Sequence, residues 1–117
     1  MSVECSDTLL PTPSPYCIIF VTVPSSAVGQ QLARLLVESR LAACVKLFPV
    51  QSVYTWEGAV QQDEEWQLLI KTRSAQFDAV ETTVRAHHPY EVPEIVAIPM
   101  LAGSQAYLNW IDASVSG

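Results

Sequence analysis

Basic residues are scarce in this chain. Six Lys and Arg stand among 117 residues, against twelve Asp and Glu, for a net charge of −6. The six, Arg34, Arg40, Lys46, Lys71, Arg73 and Arg85, form no run. Phosphate backbones are bound by clustered cations, so nucleic acid is excluded as the expected partner. With only four glycines, the chain has no Gly-rich phosphate loop. The three cysteines, Cys5, Cys17 and Cys44, show neither CxxC nor framework spacing, which argues against a disulfide scaffold and against a closed structural zinc site. Cys17 and Cys44 sit in apolar runs and read as small buried hydrophobes. No apolar run reaches the length of a membrane span. Residues 1–15 lack the basic start and apolar stretch of a secretory signal. No Ser or Cys nucleophile stands in a catalytic context, so no enzymatic activity is expected. The expectation is a soluble cytoplasmic protein with neither nucleic acid nor a membrane as partner.

What the chain does have is apolar surface. Half of its residues are hydrophobic, enough for one domain with one core. Residues 1–15, with prolines at 11, 13 and 15, read as a disordered tail; residues 16–117 read as a single domain. Tyr16 to Val23 is β-branched and apolar, the mark of a buried strand. Pro24-Ser25-Ser26 supplies a turn and an N-cap. Val28, Leu32, Leu35, Leu36 and Ser39 have helical spacing to about Arg40. Ala43 to Glu57 is extended, with Pro49 requiring a bulge, bend or edge position. Gly58-Ala59 breaks it, and Val60 to Arg73 is extended again. This long hairpin is expected to carry Glu57, Asp63, Glu64 and Glu65 at its tip. Ser74 caps a second helix with Phe77, Val80 and Val84 on one face. Glu94 to Leu101 is a fourth strand, and Gly103-Ser104 starts a last helix through Tyr107, Leu108 and Ile111. The order β-α-β-β-α-β predicts an α+β fold: a ferredoxin-like antiparallel sheet with both helices on one face and an extra C-terminal helix. The other face stays open, and a hairpin bearing Val53, Tyr54, Trp56, Trp66, Leu68 and Ile70 is too apolar for water. Self-association through the hairpin and the open face is the expected remedy.

Chemistry concentrates in His87-His88-Pro89-Tyr90-Glu91-Val92-Pro93-Glu94-Ile95. Both histidines of the chain lie here, and imidazole is the commonest side-chain ligand for borderline metals. Pro89 and Pro93 exclude the helical region at His88 and Val92 and stiffen the segment into a non-helical loop. His87 and His88 are the candidate metal ligands; the alternative is a helix stop with histidines that merely cap. Tyr54 and Trp56 alternate onto one strand face, as core, interface or pocket wall. Glu65, Gln67, Leu69 and Lys71 share a face of the next strand. There Glu65 and Lys71 would bind a polar ligand, form an ion pair between subunits, or simply be solvated.

Five stretches together resemble the CutA family of divalent-cation tolerance proteins. They are Leu41-Ala42-Ala43-Cys44, Ser52-Val53-Tyr54-Thr55-Trp56-Glu57-Gly58, Ile70-Lys71-Thr72, the His87–Ile95 stretch and Tyr107-Leu108-Asn109-Trp110. The resemblance spans roughly residues 16 to 114. It implies a ferredoxin-like subunit in a compact homotrimer, a cytoplasmic setting, a response to metal ions with copper and other divalent metals as partners, and no catalytic activity. It carries metal contact onto the His-Pro-Tyr segment, hence His87 and His88; Tyr54, Trp56, Glu65, Lys71, Tyr90 and Trp110 are the candidate cleft or interface residues. Some members have a cysteine near the end of the first strand, where this chain has Val21. That leaves imidazole and carboxylate as donors, suited to weakly held Cu(II), Zn(II) or Ni(II). The family's trimer also resembles the PII signalling proteins. The alternative reading is therefore a PII-like regulatory module that binds an anionic small molecule at subunit clefts through Lys71, Arg73 and the aromatics. A third is an interaction scaffold whose metal effects are indirect.

Overall fold

The run Tyr16–Val23 forms the central strand. In the computed structural model, which describes residues 7–116, it is β2, preceded by a short strand β1 (Asp7–Leu9). There follow α1 (Ser26–Glu38), β3 (Cys44–Trp56), β4 (Ala59–Arg73), α2 (Phe77–His87), β5 (Val96–Pro99), β6 (Ala102–Ser104) and α3 (Gln105–Ser114). One antiparallel sheet runs in the order β3-β4-β2-β5, the ferredoxin-like arrangement expected from the element order. None of the helices among the described residues is long and apolar enough to cross a membrane.

Alternation decides which residues meet the helices. Cys17, Ile19, Val21 and Val23 of β2 and Leu68 and Ile70 of β4 point to the side where α1 and α2 bring Leu32, Leu36, Val80 and Val84; all are buried. The Ser25 hydroxyl accepts from the Val28 N–H to start α1. The helix stops at Glu38, short of the expected Arg40, because Arg40 turns to φ 60°. Gly29 allows α1 to lie close to the sheet: a Cβ there would stand 2.8 Å from Leu47 Cδ2. Ser74 is not the cap of α2. It opens a single 3-10 turn, Ser74–Gln76, and its hydroxyl donates to the Ser14 carbonyl.

The opposite face is not left open along its whole length. There α3 packs Leu108 and Ile111 against Tyr16, forming a second apolar cluster with Ala43 and Val115. The Ser104 hydroxyl accepts from the Tyr107 N–H and so starts this helix as expected. The expected tail is also corrected in part. Residues 1–6 lie outside the described residues, but β1 pairs with β6 through Asp7–Ser104, Thr8–Gly103 and Leu9–Ala102. Leu10 packs on the second cluster, and buried Ser14 bonds to Tyr16. The Leu10 N–H donates to the Leu101 carbonyl at 2.8 Å, which ties this segment to the residue just before β6.

The hairpin outgrows the sheet. The last β2–β4 pair is Val23–Trp66, whereas β3 and β4 continue together to Trp56–Ala59. Residues 50–65 are therefore a two-stranded arm. Its loop is Glu57-Gly58, with φ 50° and 80°, one residue before the expected break and matched to strand twist. β3 is an edge strand, which is why Pro49 sits in it without a break. The arm lengthens the molecule to 50 × 33 × 22 Å and its radius of gyration to 15.7 Å, against about 13 Å for a compact chain of this length. Both sides of the arm carry exposed apolar groups: Tyr54 and Trp56 on one, Val53 and Val60 on the other.

Candidate functional site

Glu65 is not at the hairpin tip. It pairs with Val50 at the root of the arm and is only 6 % exposed. The loop after α2 covers it. His88 there is extended, as Pro89 requires, and Tyr90 donates its hydroxyl to Glu65 Oε2 at 2.8 Å. Burial first, and then this bond to a carboxylate, push the Tyr90 phenol well above the ordinary tyrosine range. Near the tip, the Tyr54 hydroxyl donates to Asp63, which raises the Tyr54 phenol as well. Between arm and loop lies a groove of about 930 Å³, lined by Thr22, residues 51–56, Glu65, Pro89, Tyr90, Glu91, Val92 and Glu94. Tyr54, Trp56, Glu65 and Tyr90 of the expected cleft residues are thus brought together.

Lys71 and Trp110 are not part of that groove. Lys71 shares the face of Glu65 but stands at the far end of β4, opposite Cys44. Its ammonium lies 5.3 Å from the Tyr107 ring centroid and 3.4 Å from the Tyr107 hydroxyl. Tyr107 in turn contacts Trp110, ring centroids 5.3 Å apart. Arg73 is close by, paired with Asp112 at 3.0 Å. An anion site that joins Lys71 and Arg73 to Tyr54 and Trp56 is therefore not assembled within one chain.

The two histidines differ in what they have to offer. His87 remains helical, at the last position of α2, a correction to the expected wholly non-helical stretch: Pro89 restricts His88, not His87. The His87 Nδ1–H donates to the Thr83 carbonyl at 2.9 Å, and the exposed ring keeps Nε2 free for a metal. His88 uses both nitrogens. Its Nε2–H donates to the Thr22 carbonyl at 2.7 Å, and its Nδ1 accepts the Tyr90 N–H at 3.0 Å. Coordination by His88 would break one of the bonds that hold the loop to β2, so the residue expected as a ligand is placed as a structural latch. Among the described residues no group of three or more His, Cys, Asp and Glu side chains is positioned to hold a metal ion. Of the two histidines, His87 is the one with an accessible, unbonded ring nitrogen.

Sequence reasoning missed Asp63, Tyr107 and Thr22 as partners. Asp63 pairs with Ser52 and so stands diagonal to Tyr54, a relation that the hairpin register carries. Tyr107 precedes Trp110 by three residues, one helical turn. The Thr22 contact joins α2's end to β2 across the fold, and no local pattern announces it.

With this geometry in place, the chain can be set beside known proteins. Residues 17–114 match the profile of the CutA1 divalent ion tolerance protein family. The divalent-cation tolerance protein CutA of Thermus thermophilus is 46 % identical over 95 residues, 80 % of this chain and 92 % of that protein. The chloroplastic protein CutA of Arabidopsis thaliana is 45 % identical over 101 residues, 86 % of this chain. The chain spans 56 % of the length of that plant relative. Among solved structures, the periplasmic divalent cation tolerance protein CutA of Archaeoglobus fulgidus superposes with a TM-score of 0.85 at 40 % identity, over 86 % of this chain and 99 % of that one.

Proposed function

The chain belongs to the CutA1 divalent ion tolerance family, and from that premise we propose that it works as a non-catalytic homotrimer that holds divalent cations, copper among them, weakly and exchangeably. The arm is the observation that carries the assembly. Two strands alone are marginally stable in water, yet residues 50–65 project beyond the sheet with Trp56 41 % and Val60 75 % exposed. The free edge of β3 and the short edge of β5 lie on opposite sides of the sheet. A head-to-tail contact that adds one subunit's arm to a neighbour's sheet repeats identically and closes into a ring, with no edge left for aggregation. Three is the ring size the family resemblance implies.

The metal part of the proposal rests on His87. Its fixed tautomer presents Nε2 outward, and with water completing the shell this suits Cu(II), Zn(II) or Ni(II) at modest affinity. Divalent cations are cargo in this reading, and the protein's contribution to tolerance is reversible binding. A cytoplasmic setting belongs to the same proposal, supported by the free thiols of Cys17 and Cys44. Relatives described as chloroplastic and periplasmic make fractionation of the native cell the check.

Two measurements test the whole. Light scattering is expected to report three times the chain mass of 12.9 kDa; a stable monomer overturns the assembly. In calorimetry with Cu(II), His87→Ala is expected to remove most of the binding heat and His88→Ala to leave it. The reverse result, or no change with either, moves the metal away from His87.

A further inference from the structure

The outer edge of β5 is short, and the N-terminal segment ends it. The Met100 N–H donates to the Tyr16 carbonyl, and Ile98 and Val96 stand in step with it, opposite Ile18 and Phe20. Alternation therefore turns the backbone groups of Ala97, Pro99 and Leu101 away from β2. Pro99 has no N–H to offer, as suits an edge. The Leu101 carbonyl is already taken by the Leu10 N–H at 2.8 Å, and beyond it β1 pairs with β6 down to Asp7–Ser104. Residues 10–14 and 97–101 line one groove, so the segment runs beside the end of β5 as a strap. It precedes residues 17–114, which the family profile matches.

Two uncharged edges remain. Edges that stay free in water are guarded by charged side chains. Residues 95–99 contain none, and neither do residues 50–56 along the edge of the arm. Val96 and Ile98 are 53 % and 44 % exposed. The arm of a second copy therefore suits the β5 edge in character, but pairing alone leaves one error open. A slip by one residue turns every side chain to the wrong face, whereas a slip by two restores the alternation. With the edge continued through Leu101 and Gly103, an arm slipped by two would still find partners.

We propose that the strap is a register stop for assembly: by occupying the Leu101 carbonyl and the edge of β6, it confines a neighbouring subunit's arm to residues 95–99. This rests on the head-to-tail assembly proposed above and adds what fixes its register. It does not depend on metal binding.

The test uses the full-length chain. Thr8→Pro combined with Leu10→Pro removes the two strap N–H groups that face Gly103 and Leu101. A spin label on Gln62→Cys near the arm tip, with the three native cysteines changed to Ala, reads the distance between arms of one assembly by pulsed electron resonance. A two-residue slip moves an arm by about 7 Å along its strand. The chain with its strap intact is expected to show one narrow distance and a slowly exchanging Ala97 amide. The strap variant is expected to add a second distance, with circular dichroism unchanged. If the double variant loses its circular dichroism, Leu10→Pro alone, which removes only the bond to Leu101, is expected to show the same second distance. One unchanged distance in a strap variant, beside a protected Ala97 amide in the intact trimer, overturns the register stop and leaves the assembly standing. A trimer whose Ala97 amide exchanges freely also overturns it, because the arm then docks elsewhere. A monomer by light scattering overturns the assembly itself, and the register stop with it.

Discussion

At one end of the β4 face, Lys71 and Arg73 are closed in by α3; at the other, Glu65 looks into an open groove. The same strand and the same face serve both. At the α3 end Lys71 reaches Tyr107, Arg73 pairs with Asp112, and Tyr16 donates to Asp112 at 2.8 Å. One buried atom there, Arg73 Nε, lacks a partner. At the arm end the buried carboxylate has a single neutral donor and no cation. The first end is cross-linked by side-chain bonds within one chain and behaves as structure. The second has fewer such bonds and opens onto the groove.

The comparison is broken most severely by removing what completes the α3 end. Ile111 is fully buried in the second cluster, so Ile111→Ala is expected to cost about 2–5 kcal/mol in urea denaturation. Trp56→Ala at the arm end is expected to leave the circular dichroism of the subunit intact. Its effect should appear in light scattering, as dissociation on dilution, because Trp56 is still 41 % exposed in the single chain. Equal losses of subunit structure in both variants would mean that the arm is integral to the single-chain fold.

A smaller effect is expected from deleting residues 1–14. Their pairing with β6 and the Ser14 bonds brace the start of α3. Losing them is expected to cost about 1–3 kcal/mol, the value of a few hydrogen bonds and some apolar contact. Calorimetry reads this as a lowered Tm with the arm and groove unaffected. An unchanged Tm would show the segment to be an unattached tail after all.

Two single-charge changes sharpen the contrast further, with opposite signs. Asp112→Asn weakens the partly exposed pair with Arg73 and is expected to cost about 0.5–1 kcal/mol. Glu65→Gln keeps an oxygen for Tyr90 and removes the buried charge, so it is expected to be neutral or to stabilise by about 1 kcal/mol. Chemical denaturation of both variants settles the signs. A clear loss in Glu65→Gln would show that its charge is already compensated.

The sequence made the sheet legible because periodicity is local. The apolar run at 16–23, the apolar positions at 66–70 and helical spacing at 28–39 and 77–84 each report one element, and four such elements admit few topologies. The face shared by Tyr54, Trp56, Glu65 and Lys71 was legible too. Moving the hairpin loop by one residue changes every cross-strand partner but not which side chains share a face, because strands alternate with a period of two. Depth along the strand was not legible. Where the arm outgrows the sheet depends on where β2 ends, so Glu65 read as a tip residue although it lies at the buried root. The division between the histidines was equally hidden, since it turns on a carbonyl of β2 that only the folded chain brings to His88. The docking of residues 7–15 was missed because a proline-rich segment without periodicity gives no sign of what it will lie against.

The smallest effect is expected at alkaline pH, and it too divides between the two ends. Tyr90 holds its proton above the ordinary range through burial and then its bond to Glu65, Tyr54 through its bond to Asp63, and Tyr16 through burial and then its bond to Asp112. In the unfolded chain each titrates near the ordinary tyrosine value of about 10. Between that value and the higher folded ones the folded state binds more protons, so its stability falls as pH rises. The contribution is complete below about pH 10 and is lost progressively above it, as each folded value is passed. Urea midpoints are therefore expected to be level from neutral pH up to that point and to decline beyond it. The decline should be shallower in Tyr90→Phe than in Tyr16→Phe, because Tyr90 is the most strongly shifted of the three. An identical alkaline slope in Tyr90→Phe and the parent chain would show that the groove is wetter than its geometry implies.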